Sequence, residues 1–83
     1  MTSPAESRLL QNIVHFARLL RALDIPVTPT QIVDLARALQ WVDLRRREDV
    51  KHTARVLLVS RAEHLPLFDR AFDLFWRAAF PAG

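Results

Sequence analysis

The sequence predicts an all-α fold, a small bundle of four to five helices. Three observations carry that prediction. Short-range start signals of the form Ser/Thr-x-x-Glu/Gln recur, two of them with Pro at the first helical position. Between them, apolar residues repeat with the 3.6-residue helical period. The chain has only one Gly in 83 residues, which disfavours an all-β chain of tight turns and excludes a glycine-rich phosphate loop.

The first helix opens at Ser3-Pro4, with Glu6 closing a capping box, and runs to about Leu23. Leu9, Leu10, Ile13, Val14, Phe16, Ala17, Leu20 and Leu23 fall on one half of its wheel. Arg8, Gln11, Asn12, His15 and Arg18 fall on the other. Pro26 disfavours the helical conformation at Ile25 and so breaks the helix. The second helix spans about 29–40. Thr28 is its N-cap, Pro29 its first residue and Gln31 the partner that closes the box. Its core face is Ile32, Leu35, Ala36 and Leu39. A connector, Trp41-Val42-Asp43-Leu44, offers Asp43 as the next N-cap.

The third helix is expected from about Arg45 to Val59, with Val50, Ala54, Leu57 and Leu58 as its stripe. A third box, Ser60 with Glu63, opens either a short helical turn over 60–65 or the last helix itself. Pro66 fits a first position, and the fourth helix runs to about Phe80. Pro81-Ala82-Gly83 reads as a stop and the start of a linker. The expected core is Leu9, Ile13, Phe16, Leu20, Ile32, Leu35, Leu39, Val50, Leu57, Phe68, Phe72 and Phe75.

Composition narrows the chemistry. An apolar fraction of 51% suffices for one core and is too high for disorder. There is no Cys, so disulfides, thiolate zinc sites and thiol catalysis are excluded. There is no Tyr to serve as a phenolic acid or base. No apolar run reaches the ~18 residues of a membrane span, and the first residues lack the pattern of a signal peptide. The expected setting is cytoplasmic. His15, His52 and His64 are scattered, and Asp69 with Asp73 alone make a weak oxygen site. Ser60 with His64 has no orienting acid or oxyanion loop. No cofactor and no enzymatic activity are expected.

Two surface features remain. Arg45, Arg46 and Arg47 stand at the expected start of the third helix, where phosphate contacts are favoured. Together with the second helix they outline a helix-turn-helix, so a small nucleic-acid-binding domain is the alternative reading. Glu48 and Asp49 follow at once, the connector lacks the usual turn Gly, and no aromatic residues interleave with the bases, all of which disfavour it. The second feature is the apolar excess of the fourth helix. Phe68, Ala71, Phe72, Phe75, Trp76 and Ala79 form its core face, and Leu67, Leu74 and Ala78 form a flank beside it. Leu67, Leu74 and Ala78, with Trp76 drawn from the core face, are the candidate partner-binding residues.

An ordered set of segments carries a family resemblance. The run from Leu9 to Arg21, the string Ile25-Pro26-Val27-Thr28-Pro29, Val42-Asp43-Leu44 and Arg46-Arg47-Glu48-Asp49-Val50 belong to it. So do Leu58-Val59-Ser60-Arg61, Glu63, Leu65-Pro66-Leu67-Phe68-Asp69 and Ala71-Phe72-Asp73-Leu74-Phe75-Trp76. These resemble the N-terminal helical region of CoxE-like proteins that carry a von Willebrand factor A domain. The resemblance implies that the whole chain is one helical module, either the front of a longer protein or a stand-alone relative of that helical part. It also implies work with a MoxR-type AAA+ ATPase in chaperone-like maturation or activation of metalloenzymes. The implied partners are proteins: the downstream von Willebrand factor A domain, the ATPase or a client enzyme. The family's metal cluster, Asp-x-Ser-x-Ser, has no counterpart in this sequence.

Overall fold

The structure, a computed structural model, describes residues 4–79. Among these residues four helices follow one another: α1 (Pro4–Ala22), α2 (Pro29–Leu39), α3 (Arg47–Leu58) and α4 (Leu65–Ala79). A single 3₁₀ turn, Ala62–His64, leads into α4. Among the described residues there is no strand. The expected all-α bundle, with its extra turn before the last helix, is therefore what forms. Ser3, on which the first capping box depends, and the expected stop at Phe80 and Pro81 lie outside the described residues.

Each helix packs on its neighbour in sequence, and α4 closes the ring by packing on α1. The shortest dimension, 21 Å, is about two helix diameters, as two layers of helices require. Phe16, Leu20, Leu35, Leu58, Phe68 and Phe72 meet in the centre. The Phe16 ring packs edge-on against Phe68 at 5.6 Å and Phe72 at 5.8 Å, so α1 and α4 are joined through aromatic contacts. Of the expected core, Leu9, Ile32, Leu57 and Phe75 are only half-buried, packed against the centre from its edge. Two buried residues belong to no expected helix stripe, the fully enclosed Ile25 and Val27 at 6% exposure.

The end of α1 explains both. Asp24 has φ of 64°, in the left-handed region. The Ile25 N–H donates to the Leu20 carbonyl at 2.9 Å and the Asp24 N–H to the Arg21 carbonyl at 3.0 Å. That pair of bonds is a Schellman motif, with Asp24 standing where Gly is usual. The motif turns Ile25 back toward the helix, and Ile25 and Leu20 are both enclosed. The Arg21 side chain then holds the Val27 carbonyl at 3.1 Å. The helix ends by a local hydrogen-bonded cap, with Pro26 two residues beyond it.

The box at α2 forms as expected. The Thr28 hydroxyl accepts from the Gln31 N–H at 3.2 Å, and the Gln31 side chain accepts from the Thr28 N–H at 2.8 Å. The same Gln31 amide donates to the Leu57 carbonyl at 3.3 Å, near the end of α3. One side chain thus caps one helix and satisfies a terminal carbonyl of another.

Two expected starts differ. The third helix begins at Arg47, two residues later than Arg45, and its N-cap is Arg46 without a side-chain bond. Asp43 is too far upstream to cap it and instead accepts from the Arg45 N–H at 3.0 Å. That local turn holds Arg45 outside the helix. The Ser60–Glu63 box does not form: the N-cap of the 3₁₀ turn is Arg61, and Glu63 pairs with it across 3.4 Å. The fourth helix begins at Leu65, one residue ahead of Pro66.

Candidate interaction surface

The orientation of α4 is fixed by two kinds of contact. Phe68, Ala71 and Phe72 point into the core. On the side toward α3, both of its carboxylates are taken up. Asp69 accepts from Arg55 at 2.8 Å, and Asp73 accepts from Lys51 at 3.1 Å and from Arg47. Arg47, Lys51 and Arg55 recur every four residues on α3, and Asp69 and Asp73 are four apart on α4. The two helices are therefore laced by facing rows of opposite charge. The Lys51 stem is almost covered, at 12% side-chain exposure, and its ammonium lies 5.9 Å from the centre of the Phe72 ring. Burial alone would push the Asp73 carboxyl up. Hydrogen bonds and charge from Lys51 and Arg47 outweigh it and hold the group below the usual carboxylate range.

With its core face and its acidic face both engaged, α4 presents the remaining side outward. Leu74 is 66% exposed and Leu67 38%. Ala78 is exposed beside them. These three of the expected partner-binding residues share one flank. Trp76 does not join them: it is half-buried, and its ring stacks on Phe72 at 5.6 Å. The sequence pattern that put Trp76 on the core face places it better than its grouping with the flank.

Trp76 instead lines an apolar cleft at the end of the bundle where α1 and α3 begin and α2 and α4 end. The cleft encloses about 50 Å³ among Leu9, Phe16, Leu39, Leu44, Phe75 and Trp76. Leu44 comes from the α2–α3 connector, whose Trp41 is 88% exposed. Sequence reasoning missed this feature. Its signal was an apolar connector, Trp41-Val42-Asp43-Leu44, where polar turn residues are the rule.

The three consecutive arginines separate. Arg45 lies on the turn with its guanidinium forked onto Asp43, at 3.1 and 3.2 Å. Those bonds hold the Asp43 carboxyl below its ordinary value. Arg46 is exposed and makes no ion pair among the described residues. Arg47 turns to Asp73, with Glu48 at 3.8 Å. Arg55, which could have extended a basic face, is bound to Asp69. Among the described residues no group of three His, Cys, Asp or Glu is placed to hold a metal ion. Ser60 and His64 make no hydrogen bond to one another there, and no helix is long and apolar enough to cross a membrane.

No curated protein and no solved structure matches the chain. A family model does: the CoxE N-terminal helical bundle domain matches residues 13–79. That span takes in the Schellman turn, the Thr28 box, the ion-pair rows and the outward flank of α4. The chain belongs to the CoxE N-terminal helical bundle family.

Proposed function

We propose that this bundle is a non-enzymatic protein–protein interaction module of a CoxE-like protein, placed ahead of a von Willebrand factor A domain. Its partner is that domain, a MoxR-type AAA+ ATPase or a client metalloenzyme, and its setting is chaperone-like maturation or activation in the cytoplasm. The docking surface is the flank Leu67, Leu74 and Ala78. The observation that carries the reading is Leu74: a large apolar side chain, 66% exposed, held outward at mid-helix by contacts on other faces of α4. A contiguous exposed apolar patch, unlike a single exposed leucine, marks an interaction site, and Leu67, Leu74 and Ala78 lie together on one side of the helix. Membership of the CoxE family adds a protein-interaction context.

Phosphate contact through Arg45, Arg46 and Arg47 has less support. Two of the three guanidiniums are engaged by carboxylates of this chain, and the helix-turn-helix outline loses Arg45 and Arg46 from the second helix. The test is Leu74→Glu. Mixed with a CoxE-type von Willebrand factor A domain or the ATPase, the parent chain forms a complex and the variant does not, while both melt alike. A variant that binds as the parent does would remove the flank from the account.

A further inference from the structure

The charges on α4 are segregated, and this gives the partner a chemistry. The helix carries four of them, Asp69, Arg70, Asp73 and Arg77. Both acids are committed to α3. Asp73 stands four residues before Arg77, the spacing at which helical ion pairs form, yet its carboxylate turns to Lys51 and Arg47. Arg70 and Arg77 are exposed and make no ion pair or side-chain hydrogen bond among the described residues. Their positions follow Leu67 and Leu74 by three residues each, so they run along one edge of the flank.

We propose that the segment seated on this flank is an amphipathic helix whose apolar stripe is bordered by carboxylates. The inference rests on the flank being a docking surface, as argued above. A partner that covers Leu67, Leu74 and Ala78 draws the two guanidinium heads partly out of water. An uncompensated charge in that position opposes binding, and a facing carboxylate turns the penalty into attraction and into rejection of basic partners. The exposed surface is a helix side, which offers no free backbone groups to an added strand. Its spacing of i, i+7 and i+11 matches the anchors of a helix laid alongside. At 1.5 Å per residue, Leu67 to Ala78 covers about 16 Å, or roughly three turns of such a helix. An anionic membrane would also attract leucine beside arginine. The stripe is narrow, however, and the aromatic residues of α4 point inward rather than into a headgroup layer.

The test uses two designed helical peptides of roughly five turns, or about 18 residues. Both carry the same leucine stripe, one edged with Glu and the other with Lys. Each is labelled for fluorescence anisotropy with the intact chain. The Glu peptide is expected to bind at least about tenfold more tightly, which is about 1.4 kcal/mol. The double variant Arg70→Glu, Arg77→Glu should reverse that order, and Leu74→Glu should abolish binding of both peptides without lowering the melting temperature. Equal binding of the two peptides, lost in Leu74→Glu, overturns the acidic partner and leaves the docking flank standing. If neither peptide binds, the acidic helix is wrong, and the flank is then judged by Leu74→Glu against the partner domain. Binding to phosphatidylserine vesicles with neither peptide bound assigns the surface to lipid and also overturns the proposal.

Discussion

Truncating Phe72 should remove a large part of the stability of this bundle. The ring is 4% exposed and touches three others, Phe16 at 5.8 Å, Phe68 at 6.2 Å and Trp76 at 5.6 Å. The Lys51 ammonium lies over its face at 5.9 Å. Burial of the side chain contributes about 2 kcal/mol. The aromatic neighbours add about 1 kcal/mol and the cation about 0.5 kcal/mol. Phe72→Ala should therefore cost about 3–4 kcal/mol, within the usual range for core Phe. At 0.05–0.15 kcal/mol per residue, the whole domain has only about 4–12 kcal/mol. In a domain of this size, a loss of about 3 kcal/mol lowers the melting temperature by at least about 12 °C. Phe68 gives an internal comparison. It is fully enclosed and does not line the cleft, whereas Phe72 does. Its truncation leaves a closed void, while the space vacated by Phe72 joins an existing opening. Phe68→Ala should be the costlier by about 1 kcal/mol, through the cavity contribution. Far-UV circular dichroism melts and urea titrations read both values. A Phe72→Ala melt that overlays the parent would refute the packing scheme, and a reversed order would refute the placement of the cleft.

Three further outcomes are expected. Asp24→Gly should stabilise the chain by about 0.5–1 kcal/mol, because Gly has no Cβ penalty at a φ of 64°; a destabilised variant in urea would show that the Asp side chain supports the turn. The folded carboxyl of Asp73 titrates below its unfolded value, so its contribution is present above the unfolded value near 3.9 and fades as pH falls through the lower folded one. Urea midpoints of the parent and Asp73→Asn should accordingly differ near neutrality and converge in acid, and an unchanging gap between about pH 7 and pH 3 contradicts the pairing. Duplex DNA should bind no more tightly than about 10⁻⁵ M at physiological salt, the non-specific range; a sub-micromolar constant that weakens with salt and with Arg46→Ala would restore the nucleic-acid reading.

What the sequence made legible, and what it did not, divides by range. The Thr28–Gln31 box and the core stripe of α2 are local, and the structure keeps both. The Ser60 box failed because the turn starts from Arg61, which leaves Ser60 one residue ahead of the N-cap position, and a start signal alone does not fix the register of the turn. Asp43 failed as a cap because the helix starts only at Arg47, and its carboxylate is bound by Arg45 within the connector instead. Ile25 and Val27 read as a helix break, and only the Schellman turn through Asp24 makes them core. The rows Arg47, Lys51, Arg55 and Asp69, Asp73 each have a visible four-residue spacing. That they face one another depends on the packing of α3 on α4, between groups 14 to 26 residues apart. The flank of Leu67, Leu74 and Ala78 was legible from the wheel alone. The unanswered charge of Arg70 and Arg77 was not, because Asp73 had first to be committed elsewhere.

The central claim, that the outward flank of α4 is where this bundle meets its partner, is tested most directly by methyl nuclear magnetic resonance. A CoxE-type von Willebrand factor A domain is titrated into the methyl-labelled chain. The account predicts that the resonances of Leu67, Leu74 and Ala78 shift or broaden together at low ratios of added domain. Those of Leu20, Leu35 and Leu58, enclosed in the core, should stay in place. Perturbation confined to Leu9, Leu39 and Leu44 would move the contact to the cleft and contradict the claim.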